Sequence, residues 1–175
     1  MKNKSSFLLF LCILIFGQIT ISAKDMKTKR ALLIIDIQND YFEGGANPLV
    51  GSQEASLNAR ELLNVFRGDS LPVIHIQHIS SLSGSTFFLP NTIGAEIHKN
   101  VSPLADEKII VKNYPNSFFE TELLEYLKNN EITDLVICGM MTHMCVDATT
   151  RAAKELGFNC VLISDACATK SLEIQ

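Results

Sequence analysis

The sequence predicts a doubly wound α/β fold, a parallel sheet sandwiched between helices in three αβα layers. Two observations carry this. Short, unbroken apolar runs such as residues 31–35 (ALLII) and 134–138 (DLVIC) suit strands buried on both faces of a parallel sheet. Between such runs stand segments with apolar residues at helical spacing, so strand and helix alternate along the chain. The 175 residues suffice for one domain with a substantial core. A composition of 47% hydrophobic and 19% charged residues excludes a disordered or collagen-like chain. A formal charge of −4 and the absence of any Lys/Arg run argue against a nucleic-acid partner.

Residues 1–23 stand apart from the rest. Lys2 and Lys4 precede an apolar run over residues 7–16, and the small residues Ser22 and Ala23 follow. This is the order of a secretory signal peptide. The run is shorter than the ~20 apolar residues of a membrane span. Cleavage after Ala23 would release residues 24–175 as a secreted or periplasmic domain without a membrane span; left uncleaved, the segment would act as an anchor. Cleavage also removes Cys12 and leaves Cys138, Cys145, Cys160 and Cys167, too few for a disulfide scaffold of this length.

The domain opens with a strand over residues 31–35 that ends at Asp36. Residues 39–51, with three glycines and a proline, form a loop. Ser52 is expected to cap a helix through about Phe66, with Ala55, Leu62, Leu63 and Phe66 on its apolar side. The second strand covers residues 72–79. Residues 80–94 are long for a connection and rich in Ser, Gly and Pro, which marks a functional loop. A third strand over 108–111 leads to Lys112. A helix is expected over 117–130, with Phe118, Leu123, Leu124 and Leu127 inward. The fourth strand covers 134–138. A loop at Gly139 leads into a helix from about Cys145 to Leu156, closed by Gly157. Residues 160–164 form the fifth strand.

Ligands of open α/β sheets bind beyond the carboxyl ends of the strands. Asp36, Lys112 and Cys145 all fall there. Singly, each has a structural explanation: a turn-capping Asp, a solvated Lys, a small core Cys. Together at one rim they fit an activated thiol. A helix N-terminus and an ammonium both stabilise a thiolate, and Asp36 can take the thiol proton. Backbone N–H groups at the helix start can hold an oxyanion. This is nucleophilic acyl transfer without a histidine.

Three stretches, DIQNDYFEGG from Asp36, KNYPNSF from Lys112 and GMMTHMCV from Gly139, resemble the isochorismatase-like cysteine hydrolase family, which includes nicotinamidases and N-carbamoylsarcosine amidases. The resemblance runs from about Arg30 to the last residue. It implies an isochorismatase-like, Rossmann-like fold and a triad of Asp36 as base, Lys112 as electrostatic partner and Cys145 as nucleophile. It also implies a cis peptide between Met140 and Met141 that aims the N–H of Met141, with that of Cys145, at an oxyanion. Gln38 resembles a polar residue beside the family's aspartate; loop hydrogen bonding is its other role. Tyr41, Phe42, His78, Tyr114 and Phe118 are candidate pocket walls.

Cys145 favours an amidase over the isochorismatases proper, which cleave a vinyl ether and generally lack this nucleophile. The expected function is therefore cleavage of a C–N bond in a small amide through a thioester. The alternatives are a non-amide hydrolase of the same fold and an inactive remnant. Nicotinamidases often carry a metal on an Asp and histidines after the second strand. Here that region holds His75 and His78, whose i, i+3 spacing on a strand sends them to opposite faces. His75 then reads as a core residue, and no metal or other cofactor is expected. The resemblance also implies a further helix and sixth strand beyond the closing DACATKSLEIQ. The fifth strand is thus expected as an open edge, covered in a homo-oligomer.

Overall fold

The computed structural model describes residues 29–171. The leader segment expected over residues 1–23 lies outside them. Five parallel strands, Arg30–Ile35 (β1), Val73–His78 (β2), Lys108–Lys112 (β3), Asp134–Met140 (β4) and Asn159–Ala168 (β5), form one sheet in the order β3-β2-β1-β4-β5. Three α-helices, Ser52–Gly68 (α1), Leu123–Asn129 (α2) and Asp147–Glu155 (α3), cover it. Among the described residues no helix is long and apolar enough to cross a membrane.

The unbroken apolar run of β1 follows from coverage on both sides. Leu32 and Ile34 pack with Ala55, Ala59, Leu63 and Phe66 of α1. Ala31, Leu33 and Ile35 face Leu123 and Leu127 of α2 and Ala153 of α3. Residues 31–35 are all within 2% of full burial, and each Leu or Ile so buried contributes about 1.5–3 kcal/mol. The β1–β4 contact demands glycine at one point. Gly139 lies opposite Ile35 at φ +136°, and a Cβ there would sit 2.0 Å from the Ile35 carbonyl oxygen.

The α1 face also holds a polar cluster. The buried His75 places Nε2 2.9 Å from Glu107 Oε2, and Arg67 of α1 grips the same carboxylate through Nε at 2.7 Å and Nη2 at 2.8 Å. The Leu104 N–H donates to it as well. Burial alone would raise the Glu107 pKa, but Arg67, the Leu104 N–H and His75 together hold the carboxyl down to about 2. His75 is thus a core histidine that ties β2 to α1, as its position in the strand predicts.

Several element boundaries differ from expectation. The α1 cap is Gly51, at φ +71°, rather than Ser52, whose hydroxyl donates to the Leu49 carbonyl instead. The second helix begins at Leu123, not at 117. Ser117 N–H and Oγ bond to Thr149 Oγ1, and Thr121 Oγ1 donates to the Ser117 carbonyl, so hydroxyls take up groups a helix would use. Gly139 belongs to β4 rather than to a loop. A π-helical turn, Thr142–Val146, holds Cys145, so α3 starts two residues after it. Gly157, at φ +93°, follows α3 as the sequence suggests. β5 runs to Ala168, well past Ser164. Cys167 and Ala168 pair with Gly139 and Met140 after a register shift, an alignment that only the neighbouring strand reveals.

Candidate active site

The strand order reverses between β1 and β4, and both strands deliver a reactive side chain at their carboxyl ends. Asp36 follows β1 directly and is fully buried. Its φ of 51° breaks the alternation of the strand, a left-handed conformation that Asp tolerates better than most residues. Lys112 closes β3. It is the register partner of His78, so the two side chains leave the sheet on the same face. Cys145 enters from the π-helical turn after β4 and is buried.

The three residues meet. Lys112 Nζ lies 2.7 Å from Asp36 Oδ2, 2.8 Å from His78 Nδ1 and 3.1 Å from the Tyr114 carbonyl oxygen. The His78 and Tyr114 contacts are hydrogen bonds, and the Asp36 contact is an ion pair. Cys145 Sγ, an Asp36 carboxylate oxygen and a His78 ring nitrogen all lie within 4.8 Å of one another. Neither Asp36 oxygen has an aligned hydrogen-bond donor among the described residues. The carboxylate therefore has lone pairs free to take a proton from the adjacent thiol.

The electrostatics set the resting state of the sulfur. Burial pushes the Cys145 thiol up to about 12, the Asp36 charge adds to this, and the Lys112 ammonium opposes it. The resting residue is a thiol despite the stabilisation that Lys112 offers the thiolate, which leaves a proton for Asp36 to take. Its proton must leave as the nucleophile attacks. Burial, then the Lys112 charge, lowers the His78 pKa, with Asp36 opposing. The imidazole is neutral. Since Lys112 donates to Nδ1, the ring proton sits on Nε2.

The other candidates take varied places. The Met140–Met141 peptide is cis. Gln38 is buried and fully engaged in loop bonding: its Nε2 donates to the carbonyls of His78 and Ala95, and its Oε1 accepts from the His78 N–H. It clamps the end of β2 instead of facing a ligand. Tyr41 is buried near the cluster, its phenol pKa raised by burial and by the Asp36 charge. Phe42 stacks on His98 at 3.6 Å and lines a separate groove of about 930 Å³ between residues 39–46 and 93–102, which contains none of the reactive trio. The Tyr114 backbone reaches Lys112, while its exposed ring pairs with Phe119. Phe118 turns inward, as expected from its place beside Leu123 and Leu127. It stacks on Phe158, ahead of β5, and packs against the core under α2 and α3, the cluster that also holds Cys145.

Sequence reasoning missed Phe88 and Asp40. Phe88 is buried, edge-on to Tyr41 at 4.6 Å and 5.8 Å from the His78 ring. Asp40 fixes it by accepting from the Phe88 N–H at 2.6 Å and the Ala46 N–H at 3.1 Å, with its carboxylate packed where a Cβ on Gly94 would lie. Only the length of the 80–94 segment hinted at this role. A nicotinamidase-type metal set after β2 does not fit: His75 packs toward α1 against Glu107, while His78 faces Lys112 on the opposite side.

Comparison with known proteins agrees with this architecture. The isochorismatase domain model matches residues 30–175. The isochorismatase family protein YddQ of Bacillus subtilis, itself uncharacterised, is 51% identical over 145 residues, which span 83% of this chain and 81% of that protein. A streptothricin hydrolase of Streptomyces noursei is 34% identical over 140 residues, 80% of this chain and 50% of the relative. A solved structure from Oleispira antarctica, assigned to the isochorismatase hydrolases, superposes with a TM-score of 0.80 at 45% identity, covering 85% of this chain and 80% of the other. The chain belongs to the isochorismatase family of hydrolases.

Proposed function

We propose that the protein hydrolyses a C–N bond of a small amide through a thioester on Cys145. The observation that carries this reading is the burial of a thiol, a carboxylate with open lone pairs and an ammonium in one cluster. As Cys145 Sγ bonds to the amide carbon, its proton passes to Asp36. The Met141 and Cys145 N–H groups stabilise the oxyanion. Collapse breaks the C–N bond, and Asp36 returns the proton to the departing nitrogen. Asp36 then takes a proton from water as it attacks the thioester, and collapse breaks the C–S bond, releases the carboxylic acid and returns that proton from Asp36 to the Cys145 sulfur. Lys112 stays protonated. It holds the Asp36 carboxylate in place and offsets the negative charge on sulfur during transfer. Tyr41, Phe88 and His78 form the apolar and polar walls beside the thiol.

A vinyl-ether hydrolase of the same fold would need no nucleophile. The two readings separate in one assay: small amides against a vinyl ether, each with hydroxylamine present to intercept an acyl-enzyme. The proposal expects hydroxamate from an amide and loss of turnover in Cys145→Ala with its circular dichroism unchanged. Vinyl-ether cleavage that survives Cys145→Ala would overturn it.

A further inference from the structure

We propose that Asp36, His78 and Cys145 form a ligand set for a thiophilic divalent cation such as Zn²⁺, and that the Lys112 ammonium competes with the metal for this set and weakens its binding. The sulfur, nitrogen and oxygen donors are the mixture that zinc accepts. They lie within 4.8 Å of one another. Ligands on a tetrahedral zinc stand about 3.5 Å apart, so closure needs side-chain shifts of about an ångström. The cation position is already in use: Lys112 Nζ lies 2.7 Å from Asp36 Oδ2 and 2.8 Å from His78 Nδ1. The His78 backbone is clamped on both sides by Gln38, so the ring is held on a rigid strand end, as metal ligands usually are.

Metal entry exchanges one cation for another. The His78 Nδ1 lone pair passes from the Lys112 N–H to the metal. Cys145 releases its proton to solvent and binds as thiolate, and Asp36 exchanges its ammonium partner for the metal. Lys112 swings away as the ammonium. Water fills a fourth position, and nothing is oxidised. The metal is thus an inhibitor that competes with Lys112, and no turnover is needed to detect it.

The test titrates the full chain with Co²⁺ and follows the near-ultraviolet thiolate-to-cobalt band. Lys112→Ala should bind Co²⁺ at least about tenfold more tightly than the parent; the band should vanish when Cys145→Ala is added, and His78→Phe should weaken binding by at least about tenfold. In the parent, Zn²⁺ should protect Cys145 from iodoacetamide, with protection reversed by chelator and lost in His78→Phe. That arm decides the matter if Lys112→Ala does not fold. Equal Co²⁺ affinity in Lys112→Ala and parent, a band that survives loss of Cys145, or no Zn²⁺ protection in the parent would each overturn the proposal. Every readout is metal on sulfur, so failure here is distinct from failure of the amidase reading.

Discussion

Cys145 rests as a thiol because burial and the Asp36 carboxylate outweigh the Lys112 ammonium. Two substitutions should therefore move its reactivity in opposite directions. Asp36→Asn removes the negative neighbour and should speed iodoacetamide modification at pH 8 by at least about threefold, since one pKa unit changes the thiolate fraction about tenfold. The same change should cut amide turnover by about 10²–10⁴, the worth of a general base. Lys112→Met should slow modification. In the parent, the rate should still be rising at pH 10, because a thiol near 12 is far from fully ionised there. Peptide mapping of the modified cysteine from pH 7 to 10 checks the three modification rates, and an amide-hydrolysis assay checks turnover; a plateau by pH 8 would refute the protonated resting state. The identities of Asp36, Lys112 and Cys145 were legible because each closes a strand or follows one. The protonation state was not, because it depends on burial and on which charges approach the sulfur from separate strands.

Glu107 and Gly139 carry the predictions for the elements. Glu107 joins α1, β2 and the segment before β3 through Arg67, His75 and the Leu104 N–H. Glu107→Gln should cost about 1.5–3 kcal/mol, the range of a hydrogen bond to a charged group, read as a lower urea midpoint at unchanged slope. The sign with pH follows from the depressed carboxyl. The stabilisation is complete above the unfolded-state value near 4.5 and is lost as pH falls toward about 2, so the variant should show a flatter loss of stability across that window. Gly139→Ala forces a Cβ into the Ile35 carbonyl at a left-handed φ and should destabilise by at least about 2 kcal/mol. Thermal and urea unfolding of the variant check it. Strands were legible as apolar runs, and α1 from its periodicity. The late start of α2 was not, because Ser117 and Thr149 are 32 residues apart and only the fold brings their hydroxyls together.

For the whole molecule, alternating strands and helices announced a doubly wound sheet, but not which strands are neighbours. The order β3-β2-β1-β4-β5 sets the end of β1 beside the π-helical turn after β4, and the length of a lysine side chain lets β3 reach across β2 to Asp36. His78, the register partner of Lys112, comes with it. That pairing depends on register and could not be read from spacing. On the proposed function, this convergence makes Cys145 a nucleophile toward an amide. Intact-mass and peptide-mapping mass spectrometry, after incubation with a panel of small amides, tests it most directly. An acyl adduct should appear on the Cys145 peptide for any amide that is turned over, with adduct and turnover both lost in Cys145→Ala. Amide hydrolysis that continues undiminished in Cys145→Ala would contradict it.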